Sequence, residues 1–467
     1  MNSALFFAVF AVLALFYTIL GFLASKKIKT TSDYFLAGRN LGLFSVTLTL
    51  IATQVGGGML VGTSQDAYLY GIYGILYTVG MAVGFVLLGS GLASKLQSLN
   101  VATTAELFET RYGSTTLKTV ASLLSVITMT GILIGQVVAS RTIIEILQFG
   151  SGNELIFIGF WIFVILYTMV GGLKAVVITD VFQVLLIIAI FSGIFIYSFF
   201  FGPSFDWGAL MTIQKEQFGS LPISMNMVIA TLIMPILFSL IEQDLAQRFF
   251  AARTKWIATL SALLTAGFMI LFALVPIYFG MQAKLLGLSI PAGSSPLMAT
   301  IELLTNEFVV VLALCAIIAA ITSTADSLLC AISSNLAQDF DFSWLGKHNA
   351  LSRSKIITLI AGLVALGASF VVPQNIIDIL IGSYAISVSC LFVPLVWSYF
   401  TDRISKQAAI LSVAAGFISW VAMLFWKTDA PKALVPLACS FIGYCIGLLL
   451  QRRSSEREPV SKDKSKG

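Results

Sequence analysis

Residues Ala319-Ala320-Ile321-Thr322-Ser323-Thr324-Ala325-Asp326-Ser327 lie inside one long apolar segment and bring four hydroxyls and a carboxylate to a depth where lipid-facing sequence has none. A polar group held in hydrocarbon without a partner costs several kcal/mol, so clusters of this kind face a cavity or a pathway. At about 100° per residue, Ala320, Ser323, Thr324, Asp326 and Ser327 project to one side of a helix and Ala325 to the other. One face can then hold a small hard cation with oxygen atoms. The plainer reading is that each hydroxyl bonds back to a carbonyl one turn earlier, as in ordinary membrane helices. The segment alone leaves both open.

The rest of the chain sets the context. Of 467 residues, 58% are hydrophobic and 10% charged, with a mean hydropathy of +0.97; soluble domains carry about a quarter charged residues. This is an all-α polytopic membrane protein. A crossing takes about 20 apolar residues, and thirteen candidate transmembrane helices fall at 3–24, 42–64, 70–94, 116–147, 154–171, 176–201, 223–243, 256–282, 307–336, 355–372, 375–399, 407–426 and 433–450. No basic residue precedes the first span and Lys26, Lys27 and Lys29 follow it, so it reads as an uncleaved anchor with its amino end outside. Threading onward leaves only Lys215, Lys284, Lys427 and Lys432 outside, with Arg141 inside a span. That asymmetry follows the positive-inside rule and places the carboxyl terminus in the cytoplasm of a multi-pass protein of the plasma (inner) membrane.

The net charge of +5 is therefore an orientation signal and gives no reason to expect nucleic acid. Cys315, Cys330, Cys390, Cys439 and Cys445 lie in apolar spans without metal-ligand spacing and read as small core residues. His348 is the only histidine and falls in a cytoplasmic loop, which leaves neither an HExxH zinc site nor a serine–histidine pair, so the chain is not expected to be an enzyme. Residues 452–467 are charged and Ser- and Lys-rich, and read as a disordered cytoplasmic tail too short for a kinase or receiver domain.

Two spans contain residues that a simple lipid-facing helix avoids: Gly56-Gly57-Gly58 in the second and Pro235 in the seventh. Each Gly costs about 1 kcal/mol in a helix interior and Pro about 3, and a broken helix frees carbonyls and amides at mid-membrane. The two spans are five apart. If spans two to six and seven to eleven are repeats, both breaks open their repeats, and an odd number of spans forces opposite topology, as in carriers that bind at paired discontinuities. The corresponding division is a leading helix at 1–30, a first repeat at 31–222, a second at 223–402, two trailing helices at 403–451 and the tail. Alternatively, Pro235 only kinks its helix and the glycines only permit close packing. The pairs Gly80/Gly84 and Gly131/Gly135 read as helix-packing motifs.

Several segments together resemble the sodium:solute symporter family, which includes sodium-coupled sugar, proline and sialic acid carriers. They are Asp33-Tyr34-Phe35-Leu36-Ala37-Gly38-Arg39, Gly171-Gly172-Leu173 with Thr179-Asp180-Val181-Phe182-Gln183, Gln247-Arg248, and Ser323-Thr324-Ala325-Asp326-Ser327. The resemblance implies a LeuT-like five-plus-five inverted repeat with broken helices, and import of a small organic solute by sodium-coupled symport through alternating access. It also implies a sodium site made by the carbonyls of Ala52, Val55 and Ala320 and the hydroxyls of Ser323 and Thr324. By the same resemblance a second sodium belongs to Asp180, Ser323, Asp326 and Ser327; alternatively Asp180 lines an exit path or faces Lys174.

In broken-helix carriers the solute sits near the breaks, which makes Gln54, Gln65, Thr78, Gln136, Phe238 and Gln243 the expected solute contacts. Thr78 stands where sugar carriers have a glutamate and Gln54 where proline carriers have an aspartate, so the solute class stays open. Phe238 can equally be core packing in a chain with 36 Phe. Asp244 and Arg248 are four apart and read as a surface pair beside Glu242, and Arg141 and Glu145 as a neutralised pair within a span. Coupling to protons through Asp180 or Asp326, or solute sensing without transport, remain alternatives. Composition leaves the oligomeric state undefined.

Overall fold

Apolar runs that must satisfy their own backbone hydrogen bonds in lipid become helices, and the computed structural model is built almost wholly of them. It describes residues 3–26, 28, 30–99, 101–146, 152–209, 211–212, 224–291, 293–340, 350–372, 375–401, 404–426 and 432–457. His348, Lys27, Lys29, Lys215, Lys347, Arg403, Lys427 and the tail beyond Arg457 lie outside the described residues. The principal helices are α1 (Ser3–Ser25), α2 (Leu43–Gln54), α3 (Thr63–Tyr70), α4 (Leu76–Leu87), α5 (Thr115–Glu145), α6 (Gly152–Phe201), α7 (Met225–Ser239) and α8 (Gln243–Ala251). They continue as α9 (Lys255–Phe272), α10 (Leu274–Leu285), α11 (Glu307–Asp339), α12 (Ala350–Ala368), α13 (Ile376–Phe400), α14 (Lys406–Phe425) and α15 (Leu434–Arg457). Among the described residues no strand forms.

Among the described residues ten helical segments are long and apolar enough to cross a bilayer. This does not reproduce the expected count of thirteen: helices run on through two junctions, and α12, at the expected 355–372 span, is not among the ten. Gly58–Ser98 joins the second half of the broken span to the next one. The 50 residues of α6 would measure about 75 Å at 1.5 Å per residue, over twice a hydrocarbon core of about 30 Å. They are two spans meeting at Gly172, where φ is 51° and ψ −171°. Only glycine adopts that backbone readily, and a Cβ there would stand 2.7 Å from the carbonyl oxygen of Tyr34.

The centre of the bundle is α11. Asn306 caps it by accepting from the Val309 N–H at 3.1 Å, and its most apolar window is 78% buried against 11% for α1. It packs on α2, α5, α6, α8 and α12. Between helices lipid gives no hydrophobic drive, so close approach of small residues matters. Gly80 and Gly84 lie against Leu232 and Ser239 of α7, and Gly131 and Gly135 against Ser383 and Leu380 of α13. On one side of the bundle, the Asp33–Arg39 segment before α2 is clamped to the chain leaving α8. The Leu41 N–H donates to Ala251 at 3.0 Å and the Arg253 N–H to Leu41 at 3.0 Å. Arg39 adds a bond to the Val101 carbonyl at 2.7 Å.

Candidate sodium and solute site

The helix α2 ends because Val55 leaves helical geometry at φ −81°, ψ 69°. The Gly56 N–H then reaches only two residues back, to Gln54 at 2.9 Å, an inverse γ-turn. In an unbroken helix that N–H would serve the Ala52 carbonyl, and the Gly57 N–H would serve Thr53. Gly57 instead donates to Gln136 Oε1 at 2.8 Å. Two carbonyls are thus released inside the protein, and α11 approaches them. Ser323 Oγ lies 3.0 Å from the Ala52 oxygen. Thr324 Oγ1 lies 3.3 Å from that of Ala52 and 3.0 Å from that of Thr53. The helix resumes as a π-helical turn, Gly58–Gly62, leading into α3.

Both readings of the hydroxyl cluster hold together. Ser323 and Thr324 also bond back to the Ala320 carbonyl, at 2.9 and 3.2 Å, and Thr322 and Ser327 bond back to Ala319 and Ser323. The two cross-helix hydroxyls own one proton each, yet carbonyls of Ala52, Thr53 and Ala320 surround them. Oxygen acceptors outnumber donors, which is the chemistry of a hard-cation site. Of the expected first sodium set, Ala52, Ala320, Ser323 and Thr324 meet here, and the non-helical Val55 stands at the break itself. The glycines also serve packing: a Cβ on Gly56 would sit 2.4 Å from Thr324 Oγ1, and one on Gly57 2.4 Å from the Ala139 methyl.

The second expected set is not gathered round one point. Asp180 is fully buried and accepts from Thr49 Oγ1 at 2.5 Å. Its cationic neighbour is Arg248 at 3.8 Å, not Lys174. Ser327 receives the Arg248 guanidinium at 2.5 Å. Asp326 faces away from both, bonded to Thr168, in a cleft between α1, α6 and α11 that Tyr17, Tyr167 and Gln183 also line. Two residues past Thr324, it has turned roughly 200° around the helix, so it points away from Thr324 while lying about 60° from Ser323.

The second interruption does not lie at Pro235, which stays within α7. It comes one turn later. Leu240 and Ile241 close the helix with short bonds to Leu237 and Phe238, and Glu242 turns extended at φ −64°, ψ 127° before α8 begins. The expected surface pair of Asp244 and Arg248 is overturned: Arg248 is 0% exposed and bonds the main-chain carbonyl of Asp244 at 2.7 Å and Thr49 Oγ1 at 3.2 Å. A guanidinium with five donors can afford burial only where each finds an acceptor. Arg141, in turn, reaches Glu154 at 3.5 Å instead of Glu145.

Between the two breaks lies a small polar cavity of about 20 Å³, room for about one water. Thr53, Gln54, Gly56 and Met59 form one wall, Gln136 and Thr324 another, Glu242 and Asp244 a third, and Tyr77 and Tyr384 close it. Gln54 and Gln136 are where the solute reading expects them. Phe238 stands behind, stacked on Tyr384 with ring centroids 4.3 Å apart. The other three expected contacts do not line this cavity. Gln65 bonds the Ser294 carbonyl at 3.0 Å beside a separate cleft, Thr78 pairs with Thr63 at 3.4 Å, and Gln243 holds the loop ahead of Glu106 through the Thr104 N–H at 2.6 Å. Sequence reasoning missed Tyr77, Tyr384, Glu242 and Asp244. A carboxylate next to a helix break was the available signal for Asp244; the tyrosines carried none among 13 Tyr and 36 Phe.

Comparison with one solved structure agrees with this architecture. A Na+-coupled sialic acid symporter in its substrate-bound outward-open state superposes with a TM-score of 0.76 at 18% identity, over 96% of this chain and 97% of that one. A manganese transporter of Eremococcus coleocola matches with a TM-score of 0.48 at 14% identity, over 90% and 88% of the two chains. The first likeness assigns the LeuT-like fold. The model of the sodium:solute symporter family matches residues 34–416, which include both breaks and α11; the chain belongs to that family and is a sodium-coupled solute symporter.

Proposed function

We propose that the chain imports a small organic solute with sodium across a plasma membrane, its amino terminus outside and its carboxyl terminus in the cytoplasm. The sodium ligands in this reading are the carbonyls of Ala52, Val55 and Ala320 and the hydroxyls of Ser323 and Thr324. The solute binds between the breaks, against Gln54, Gln136, Tyr77 and Tyr384, where the small cavity must widen to admit it, and the repeats are 31–222 and 223–402. The observation that carries this is the surplus of oxygen acceptors where α11 meets the end of α2. A cation supplies what two hydroxyl protons cannot.

Coupling follows from shared parts. Thr324 belongs to the ion cluster and lines the cavity, as does the Thr53–Gly56 backbone, so an ion that draws α11 onto the break also fixes a cavity wall. Each ligand then raises the affinity for the other by one factor. A neutral cradle carrying Na+ moves one charge, which an inward-negative potential favours by about 2.3 kcal/mol per 100 mV. Because Arg248 already supplies the cation between Asp180 and Ser327, we assign one sodium per cycle. No step makes or breaks a covalent bond. The test is uptake by proteoliposomes with choline replacing external sodium at fixed pH. Uptake should fall to the leak level and show a sodium Hill coefficient near one; uptake that follows a proton gradient instead would refute the reading.

A further inference from the structure

The second break carries charge for which the sodium cradle has no use. Glu242 and Asp244 are 5% and 1% exposed, both line the cavity, and Glu242 Oε2 and Asp244 Oδ2 have no hydrogen-bond partner. Part of their presence is structural. Glu242 is the N-cap of α8 and Asp244 lies in its first turn, where acids offset the positive helix end, and Asp244 Oδ1 accepts from the Leu245 N–H at 2.8 Å. That accounts for one oxygen only. The two carboxyls line the same buried cavity, and like charges so placed in a dry site need a cation or a proton between them.

Arg248 does not answer that need. Its donors go to the Asp244 main-chain carbonyl, Thr49 and Ser327, and among the described residues neither carboxylate forms an ion pair. Opposite them stand the hydroxyl-bonded pair Tyr77 and Tyr384, 2.9 Å apart, with Phe238 stacked behind, rings whose faces attract cations. Half-helix amino ends in carriers of this architecture favour anionic groups; here two acids cancel that preference. We propose that the solute presents a primary or secondary ammonium to Glu242 Oε2 and Asp244 Oδ2, with its remaining polar group toward Gln54 and Gln136. An ammonium with two or three protons can satisfy both oxygens at once. The inference rests on reading this cavity as the solute site.

The test uses the full-length purified protein at constant sodium and a matched series of three-carbon alcohols ending in an ammonium, a trimethylammonium, a hydroxyl or a carboxylate. Melting temperature is followed to tens of millimolar of each, because a ligand stabilises only the state it binds. The ammonium member should raise it most, the trimethylammonium less, the diol little and the carboxylate not at all. Glu242→Gln and Asp244→Asn should each weaken ammonium binding by about tenfold or more, with Glu242→Asp retaining part of it. A diol or carboxylate that binds as well as the ammonium, variants that keep the ammonium preference, or a series with no effect would each overturn the assignment. A parallel sodium titration without solute separates the two levels. If sodium alone stabilises the protein and Ser323→Ala/Thr324→Ala abolishes this, the sodium site stands and only the solute class is lost.

Discussion

The chain breaks twice at the edges of one cavity, after Gln54 and again between Ser239 and Gln243, and the two breaks are built from opposite chemistry. The first offers backbone carbonyls and the hydroxyls of a neighbouring helix, with no formal charge. The second offers two carboxylates and is followed, one turn on, by a buried arginine. Neutral oxygens can hold a stripped Na+ and still release it, since no tight ion pair must be separated. Fixed carboxylates select what shares the cavity with it. The breaks are also tied together: Arg248, from the second, bonds Thr49 on the helix that enters the first and Ser327 on α11.

That tie should give the largest effect. Arg248→Ala strands Asp180, itself 0% exposed, and losing one partner of a buried pair costs about 3–5 kcal/mol. Denaturation in detergent should show a loss of that order, with the double change Asp180→Asn/Arg248→Gln costing less than Arg248→Ala alone. If Arg248→Ala melts like the parent, the two breaks are not joined through it. Gly56→Ala comes next, since its Cβ would lie 2.4 Å from Thr324 Oγ1 and 2.8 Å from Gln136 Oε1. Concentrations for half-maximal uptake should rise about tenfold or more for sodium and solute alike; a change in one alone would mean that the first break does not serve both.

Tyr384→Phe sharpens the contrast from the cavity side. It removes the bond to Tyr77 at 2.9 Å while leaving the stack on Phe238, and a neutral hydrogen bond is worth roughly 0.5–1.5 kcal/mol. Solute affinity should drop several-fold with sodium affinity unchanged, and equal losses in both would place the tyrosine in the sodium cradle. Gln65→Ala and Thr78→Ala, whose side chains are committed elsewhere, should leave solute half-saturation within about twofold, roughly 0.4 kcal/mol. A larger loss at either would move the solute outside the cavity described.

What could be read from sequence divides along the same line as the two breaks. The first was legible because polarity at membrane depth is anomalous: Ser323 and Thr324 stand out in an apolar run, and three successive glycines mark a helix that cannot be regular. The second was legible only as a region. Pro235 drew attention, but its helix absorbs it, because the N–H that proline lacks is one bond among many and the chain turns only when Leu240 and Ile241 tighten. Charge misled in the other direction. Glu242, Asp244 and Arg248 sit at the end of an apolar span, where charges ordinarily meet water, and nothing in their spacing says that α8 is buried along its whole length. Asp326 shares a helix side with Ser323, yet its carboxyl is taken by Thr168 of α6 while Ser323 and Thr324 point at the break. Gln65, Thr78 and Gln243 were polar residues in apolar spans, and the fold uses each to fasten backbone or a neighbouring hydroxyl.

The central claim is that a cation is held where the fractured α2 meets α11. Sodium titration of the melting temperature of the purified protein, with no solute and with choline as the balancing ion, tests it most directly. The parent should be stabilised saturably by sodium, and Ser323→Ala/Thr324→Ala should need at least about tenfold more sodium for half the effect, some 1.4 kcal/mol of lost binding. Superimposable titration curves for the parent and the double variant would contradict the account.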